Sequence, residues 1–240
     1  MIFYYVRHGD PIYDPDSLTQ LGHTQAKALA PRFAVYGLDE IYASTSTRAR
    51  QTAEPTCKLL RKEAELCDFA NEAYAWTEIT AQNENGRPSW LFQNKLYIQK
   101  LRDPSVIAMG KEWYKHPHFN TLPKLEYGVK RIEDATDAFF EKLGFKHLRE
   151  ENGYVLAGRT PPKRVALFAH QGFGLSFLSS LTDIPYPLFA SSFDISHSSV
   201  TAIYFNENQE IIYPKILQLS NDSHLYKEGV NCKYNNTLEI

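Results

Sequence analysis

The chain has 240 residues, of which 43% are hydrophobic, 13% aromatic and 22% charged, and this balance excludes a disordered or collagen-like protein. The 26 basic and 28 acidic residues leave a formal charge of -2, so global charge favours neither nucleic acid nor a membrane as a partner. The three cysteines are too few and too far apart for a disulfide framework, and no apolar run is long enough for a signal sequence or a membrane span. We therefore expect a cytosolic protein with reduced cysteines.

The N-terminal part of the sequence predicts two units of a strand followed by a helix. Residues 2–6 form an apolar run of strand length, and helical spacing of apolar residues follows from Thr19 to Tyr36. A second short apolar run at 41–43 precedes another helical pattern at 49–60. Alternating strands and helices are typical of α/β proteins with a mostly parallel sheet.

The sequence changes character between residues 79 and 125. This segment is irregular and punctuated by glycine and proline, and residues 81–124 carry seven basic against three acidic side chains, together with several aromatic ones. We interpret 79–125 as a cap-like insertion within a single domain of residues 1–240. Two alternatives stay open: the insertion forms a pocket wall for an anionic substrate, or it is a surface subdomain with a small core of its own.

The C-terminal part returns to the earlier pattern. After a predicted helix that includes residues 129–143, an apolar strand is predicted at 165–169, with a helix behind it that ends before Pro185. The runs at 200–205 and 211–217 predict a hairpin at the margin of the sheet. Together these elements predict a three-layer α/β/α sandwich with a mostly parallel sheet and an insertion subdomain.

Two histidines, His8 and His170, each directly follow a strand that we expect to be buried. Ligands of open α/β sheets bind at the carboxyl ends of the strands, so both imidazoles are expected to face one crevice. Arg7 precedes His8, and Arg48 begins the second helix. Two guanidinium groups and two imidazoles at one place favour a tetrahedral dianion such as phosphate. A neutral imidazole is a nucleophile towards phosphorus, and this chemistry requires no metal and no cofactor.

Four motifs occur along the chain in a fixed order: Val6-Arg7-His8-Gly9-Asp10, Leu18-Thr19 with Gly22 and Gln25-Ala26, Ser44 with Arg48-Ala49-Arg50-Gln51-Thr52-Ala53, and Ala169-His170-Gln171-Gly172. In this order they resemble the histidine phosphatase superfamily, which has the phosphoglycerate mutase-like fold. The resemblance covers about residues 1–80 and 126–205. It implies that His8 is phosphorylated during the reaction and that Arg7, Arg48 and His170 form the phosphate pocket.

The resemblance also implies roles for three further residues. The backbone amide of Gln171 contributes to the phosphate pocket. Asp14 stands where the family often has an asparagine that contacts phosphate, although a carboxylate there would repel a dianion. Glu78, in Trp76-Thr77-Glu78, matches the general acid, with Glu72 and Glu84 as rivals.

These observations predict a metal-independent phosphomonoesterase that acts on a small-molecule phosphate ester through a phosphohistidine at His8. Two alternatives are a cofactor-dependent mutase of the phosphoglycerate type and a catalytically idle sensor of a phosphate ligand. His197, just before a late strand, is a further candidate for the rim of the crevice. The sequence does not identify the substrate, and it leaves a homodimer open.

Overall fold

The structure, a computed structural model, describes residues 1–232. Its strands are β1 (Ile2–Arg7), β2 (Pro11–Tyr13), β3 (Asp16–Leu18), β4 (Glu40–Ser44), β5 (Glu65–Cys67), β6 (Thr80–Gln82), β7 (Pro88–Trp90), β8 (Phe145–Leu148), β9 (Gly153–Leu156), β10 (Arg164–Ala169), β11 (Val200–Tyr204) and β12 (Lys215–Asn221). Its α-helices are α1 (Gln20–Tyr36), α2 (Thr47–Leu60), α3 (Glu72–Glu78), α4 (Lys95–Leu101), α5 (Pro104–Ala108), α6 (Leu125–Lys142), α7 (Gln171–Thr182), α8 (Tyr186–Ser192) and α9 (Ser223–Lys227).

A six-stranded mixed sheet forms the centre, in the order β12, β11, β1, β10, β4, β5. β1, β10, β4 and β5 pair in parallel, whereas β11 runs antiparallel to both β1 and β12. The predicted α/β architecture with a mostly parallel sheet is therefore confirmed. The first parallel pair places Arg7 opposite Ala169, so β1 and β10 end at the same level.

Side chains alternate between the two faces of the sheet, and helices cover both faces. On β1, Phe3 and Tyr5 belong to the larger core cluster, to which α6 and α7 contribute, and Tyr4 and Val6 belong to the smaller one under α1 and α2. These two clusters are the interfaces between the three layers.

The helices that precede the crevice begin within two residues of their predicted starts. Thr19 caps α1 by accepting a hydrogen bond from the Gly22 amide at 3.0 Å. Ser46 caps α2 by accepting one from the Ala49 amide at 3.4 Å. Since side-chain oxygens of this kind satisfy the free amides of a first turn, they determine where each helix starts. Arg48 therefore lies in the first turn of α2.

The chain from 79 to 125 is more regular than its sequence suggests. It contains the β6–β7 hairpin, α4 and α5, and 3-10 turns at Gly110–Lys115 and Pro117–Phe119. Trp113 is buried and stacks on Tyr186 of α8, with ring centroids 5.0 Å apart. Buried aromatic side chains, not backbone periodicity, hold this segment against the rest of the molecule.

The last strand differs from the prediction in position. β12 begins at Lys215 instead of residue 211 and continues to Asn221. Ile212 lies outside β12 because it pairs with Tyr154 of β9, whose amide donates to the Ile212 carbonyl at 2.8 Å. An apolar run predicts extended backbone, but it does not say which neighbouring strand takes its hydrogen bonds.

Within residues 1–232, the helices are all too short or too polar to cross a bilayer.

Candidate active site

The carboxyl ends of the central strands bring the two predicted histidines together. His8 follows β1 and His170 follows β10, and the His8 amide donates to the Ala169 carbonyl at 2.9 Å. The two imidazole rings lie 5.2 Å apart between centroids, and both residues are buried. The parallel register of the two strands thus creates a paired imidazole site at the edge of the sheet.

The hydrogen bonding of His8 determines which of its ring nitrogens is available. His8 Nδ1 lies 2.7 Å from the Gly9 carbonyl oxygen, and because a carbonyl only accepts, Nδ1 is the donor. Burial, followed by His170, Arg7 and Arg48, holds the pKa of His8 well below its usual value. His8 is therefore neutral, and Nε2 carries the lone pair.

Gly9 permits the close approach that this arrangement needs. A Cβ atom at Gly9 would lie 2.7 Å from the carbonyl oxygen of Gly22 in the first turn of α1. Any larger residue would push α1 away from the loop that follows His8.

His170 is held by hydroxyl groups from neighbouring strands and loops. Its Nε2 lies 2.8 Å from Ser44 Oγ and 3.2 Å from Ser46 Oγ. The Tyr5 hydroxyl donates to the His170 carbonyl at 2.7 Å. Burial, together with Arg48 and Arg7, keeps the pKa of His170 well below its usual value. The second imidazole is thus neutral as well, and it is fixed in orientation.

Arg7 is anchored on the side of the crevice formed by the chain before β11. One terminal nitrogen donates to the Ile195 carbonyl at 2.6 Å, and the other donates to His197 Nε2 at 2.7 Å. A guanidinium has only donors, so His197 Nε2 must act as the acceptor. The His197 ring also lies 5.6 Å from that of His8 between centroids. His197 therefore lies at the crevice and not merely near its rim.

Arg48, the second arginine of the crevice, contacts two carboxylates. Its terminal nitrogens donate to Asp16 Oδ1 at 2.7 Å and to Glu72 Oε2 at 3.1 Å. Asp16 also accepts from the Thr47 amide at 2.6 Å and so ties the β2–β3 hairpin to the start of α2. The guanidinium of Arg48 is therefore held in place before any ligand is bound.

Glu72, the first residue of α3, lies at the centre of the site. Its Oε1 accepts from the Gly172 amide at 2.8 Å, and its Oε2 lies 3.6 Å from His170 Nδ1. One carboxylate oxygen of Glu72 and one ring nitrogen each from His8 and His170 all lie within 4.8 Å of one another. No other acidic side chain among those proposed from the sequence comes this close to both imidazoles in the described part of the chain.

The structure places Glu78 elsewhere. It is the last residue of α3, and its carboxylate takes three hydrogen bonds from Arg131 at 2.7 to 3.1 Å. A helix of seven residues separates its two ends by about 9 Å, at 1.5 Å per residue. Glu78 therefore faces α6, and Glu84, the other rival, forms an exposed ion pair with Lys95.

Two other residues singled out in the sequence differ in their positions. Asp14 is exposed in the turn between β2 and β3 and does not line the crevice, where Asp16 is found instead. Gln171 begins α7 and lines the crevice, and its side-chain amide donates to the Asp194 carboxylate. Hairpin geometry explains the first result, because a turn residue points away from the pair of strands it connects.

A pocket of about 1020 Å³ opens over these groups. Its cations are Arg7 and Arg48, and its outer wall includes Trp76, Trp90 and Gln93. None of the seven basic residues between 81 and 124 lines it. The insertion thus contributes aromatic and amide groups to the pocket, not the positive charge that its composition suggested.

Within residues 1–232, the histidines and Glu72 form one group that is spaced closely enough to hold a metal ion. Two guanidinium groups stand beside that group, and they repel a cation and attract an anion. Arg48 also contacts Glu72 Oε2 at 3.1 Å, so the carboxylate of this group is already paired with a cation of the protein.

Several residues that build the site carry no local signal of their role. Asp16 and Tyr5 act through hydrogen bonds between segments far apart in the chain, which no local pattern reveals, and the contact of Ser44 with His170 is equally non-local although Ser44 belongs to a recognised motif. Glu72 had a local signal: it directly follows Asn71, whose side chain accepts from the Ala73 amide and caps α3. A carboxylate at the first position of a capped helix could have been preferred to one at its end.

The fold and the site together define an α/β protein with two neutral imidazoles and two guanidiniums at the ends of parallel strands. The sequence model of the histidine phosphatase superfamily, branch 1, matches residues 3–104. Over these residues the chain matches the histidine phosphatase superfamily, branch 1, and its fold is phosphoglycerate mutase-like. No curated protein sequence matches it.

Solved structures of this fold resemble the chain over nearly its whole length. A mycobacterial glucosyl-3-phosphoglycerate phosphatase with inorganic phosphate has a TM-score of 0.59 at 17% identity, covering 93% of this chain and 98% of its own. A phosphoserine phosphatase mutant from Entamoeba histolytica with phosphoserine has 0.57 at 14%, covering 93% and 98%. The alpha-ribazole phosphatase from Shigella flexneri has 0.57 at 14%, covering 92% and 97%. At these identities the likeness concerns the fold.

Proposed function

We propose that the protein hydrolyses small-molecule phosphomonoesters through a covalent phosphohistidine at His8 Nε2. The observation that carries this proposal is the hydrogen bond from His8 Nδ1 to the Gly9 carbonyl, which leaves Nε2 as the free lone pair between two guanidiniums. A neutral imidazole held in this tautomer is prepared for attack on phosphorus.

The reaction has two transfers. His8 Nε2 attacks phosphorus, the ester P–O bond breaks, and the leaving oxygen takes a proton from a carboxylic acid. Water then attacks the phosphohistidine, gives a proton to the resulting carboxylate, and the P–N bond breaks to release phosphate. Arg7, Arg48 and His170 surround the equatorial oxygens, where charge is spread in the transition state.

We assign the general acid to Glu72 instead of Glu78. Glu72 lies close to both imidazoles, whereas the Glu78 carboxylate is occupied by Arg131. A general acid must come within hydrogen-bonding reach of the leaving oxygen. A bound phosphoryl group competes for Arg48, and it thereby frees the Glu72 oxygen that Arg48 contacts in the structure.

The fold relatives support a phosphorylated metabolite as the substrate class, since their names include phosphatases of glucosyl-3-phosphoglycerate, phosphoserine and alpha-ribazole compounds. We also propose that residues 79–125 act as a cap within one domain, because Trp90 and Gln93 from that segment line the pocket. A cytosolic location and independence from metal ions remain predictions of the sequence, and turnover undiminished by a chelator is the expected result for the second.

The first test is to trap the phosphoenzyme. Wild-type protein mixed with a radiolabelled phosphomonoester and quenched in alkali, where phosphohistidine survives, should retain label. His8→Ala should retain none and lose at least about ten-thousand-fold in kcat/KM, because the nucleophile is gone. His116→Ala, a histidine outside the pocket, is the matched control and should behave as wild type. Normal turnover by His8→Ala rejects the nucleophile.

The second test separates the two glutamates. Glu72→Gln keeps the shape of the side chain but cannot supply the proton, so kcat for an alkyl phosphate should fall by about a hundredfold to a thousandfold. The loss should be much smaller for an aryl phosphate, whose leaving group needs little protonation. Glu78→Gln should change neither. The opposite result, with the leaving-group dependence in Glu78→Gln, returns the role to Glu78.

A further inference from the structure

Beyond the phosphate clamp formed by Arg7, Arg48, His8 and His170, two tryptophans form the pocket wall. Trp76 and Trp90 both line the pocket, with ring centroids 5.1 Å apart and planes inclined at 80°. Trp76 is 38% exposed, and it lines the pocket. Indole surface is therefore available to a ligand.

The tryptophans lie on the side of the pocket where the leaving group departs. Trp76 follows Glu72 by four residues on α3, so the two side chains share one face of the helix. Trp90 approaches Gly172 so closely that a Cβ there would lie 2.3 Å from the indole, and the Gly172 amide is the donor to Glu72 Oε1. Glu72 thus lies between the clamp and both indoles.

This geometry sets the direction of the substrate. The acid that protonates the leaving oxygen must point at that oxygen. Whatever the leaving oxygen carries must then continue away from the clamp and past Glu72, towards the exposed surface of Trp76 and the part of Trp90 that lines the pocket.

The charges of the pocket argue against a second anionic group on the substrate. Of the residues that line it, the arginines of the clamp are the cations, and its carboxylates, Asp16 and Glu72, both contact Arg48. Lys95 and Lys111, which might have supplied charge from the insertion, form ion pairs with Glu84 and Asp183. An additional carboxylate or phosphate would be removed from water without a partner.

We infer, on the basis of the proposed function, that the preferred substrates carry an uncharged leaving group with a planar aromatic or heteroaromatic ring, which packs on Trp76 and Trp90. Substrates whose leaving group bears a second acid are disfavoured.

Paired substrates test this inference with the leaving oxygen held constant. A nucleoside 5′-monophosphate and ribose 5-phosphate both release a primary alcohol, and only the first carries a ring base. Its kcat/KM should be higher by about tenfold or more, the size expected from stacking on an indole. Glycerol 3-phosphate should likewise exceed 3-phosphoglycerate, which differs by a carboxylate. The free nucleoside should inhibit competitively, and ribose should not.

A variant of Trp76 tests whether the preference for an aromatic leaving group depends on the tryptophans of the pocket wall. Trp76→Leu should reduce the ratio of kcat/KM between the nucleotide and ribose 5-phosphate by about tenfold. Tyr127→Leu removes a ring that is 65% exposed on α6 outside the pocket, and it should leave the ratio as in wild type. Equal kcat/KM for the paired substrates, or an unchanged ratio in Trp76→Leu, overturns the inference and leaves the phosphatase proposal standing. Failure to hydrolyse any phosphomonoester rejects the proposed function itself.

Discussion

Two parts of this molecule hold histidine side chains that are shielded from water but have neighbours of opposite charge. His8 and His170, at the ends of central strands, stand beside the guanidiniums of Arg7 and Arg48. His147, on β8 at the far side of α6 and α7, stands between two carboxylates. All three imidazoles are shielded from water, so the difference between them is one of charge.

The contacts of His147 engage both ring nitrogens. Nδ1 lies 2.7 Å from Asp137 on α6, and Nε2 lies 2.8 Å from Asp183 after α7. Burial by itself lowers the pKa of His147, but the hydrogen bonds and charges of the two aspartates outweigh it, and the pKa is raised. His147 is therefore a cation that joins secondary-structure elements.

The comparison teaches that burial does not decide the protonation of a histidine. Desolvation lowers the pKa at both places, and the sign of the nearest charges decides whether they add to that effect or overcome it. Burial, reinforced by the arginines, lowers the pKa values of His8 and His170, as the proposed nucleophile requires, whereas the two aspartates outweigh burial and raise the pKa of His147.

The largest expected effect on stability concerns His147 and its two aspartates. His147→Gln removes the cation between Asp137 and Asp183 and should lower the free energy of unfolding by about 3 kcal/mol, measured by urea denaturation. Because the pKa of His147 is raised, its stabilisation is complete below about pH 6.5 and is lost as the pH rises through the folded value. The cost of His147→Gln should therefore be larger at acid than at alkaline pH.

The activity of the same variant sharpens the contrast. His147 lies outside the pocket, so the folded fraction of His147→Gln should keep the kcat/KM of wild type. A large loss of kcat/KM in folded protein, or a cost that grows with increasing pH, contradicts the assignment.

His224, a histidine outside the active site whose pKa is lowered, should make stability depend on pH in the direction opposite to that of His147. His224 on α9 is buried, with Nε2 3.0 Å from Ser198 Oγ, and burial, reinforced by Arg32, lowers its pKa to about 4. In the unfolded chain His224 binds a proton as the pH falls below about 6.5, whereas in the folded chain it stays neutral until about pH 4. The free energy of unfolding therefore decreases as the pH falls below about 6.5. His224 should destabilise the fold by about 2 kcal/mol more at pH 5 than at pH 8.

His224→Gln checks this value, because glutamine does not titrate. The difference in unfolding free energy between the variant and wild type should shift in favour of the variant by that amount on going from pH 8 to pH 5. Parallel pH profiles for the two proteins would show that His224 is protonated alike in the folded and unfolded chains.

The smallest effect concerns the support of the phosphate clamp. His197 accepts a hydrogen bond from one terminal nitrogen of Arg7. The other terminal nitrogen of Arg7 donates to the Ile195 carbonyl, and that bond would remain in a His197 variant. His197→Leu should weaken phosphate binding by about tenfold, measured as competitive inhibition by phosphate, since one bond to a charged group is lost. His197→Gln, which can still accept, should recover most of the affinity. If His197→Leu and His197→Gln both bind phosphate as tightly as wild type, the hydrogen bond from Arg7 to His197 does not contribute to phosphate binding.

The elements around the site were predictable because their signals are local. The apolar run of β1, the Thr19 and Ser46 caps and the strand before His170 can each be recognised within a few residues. Strand-end chemistry then followed from a general rule of parallel sheets, which placed Arg7 and His8 near His170.

The proposed general acid was less predictable because the same short helix, α3, has a glutamate at each end. The resemblance favoured Glu78, yet the structure sets Glu72 beside the imidazoles and gives Glu78 to Arg131, a residue 53 positions later. Likewise, positive charge in the insertion could be counted, but Lys111 pairs with Asp183 and leaves the pocket uncharged on that side. Composition gives the net charge of a segment, but it does not say which charged side chains face the pocket.

The sequence by itself determined the layered α/β architecture and the four side chains proposed to meet an anion, because apolar periodicity and strand-end position are properties of neighbouring residues. The tertiary structure alone decided which nitrogen of His8 is left without a hydrogen bond to Gly9, which glutamate lies beside the two imidazoles and which aromatic groups line the pocket. Those properties depend on hydrogen bonds and charges between segments separated by many tens of residues, and they exist only once the chain is folded.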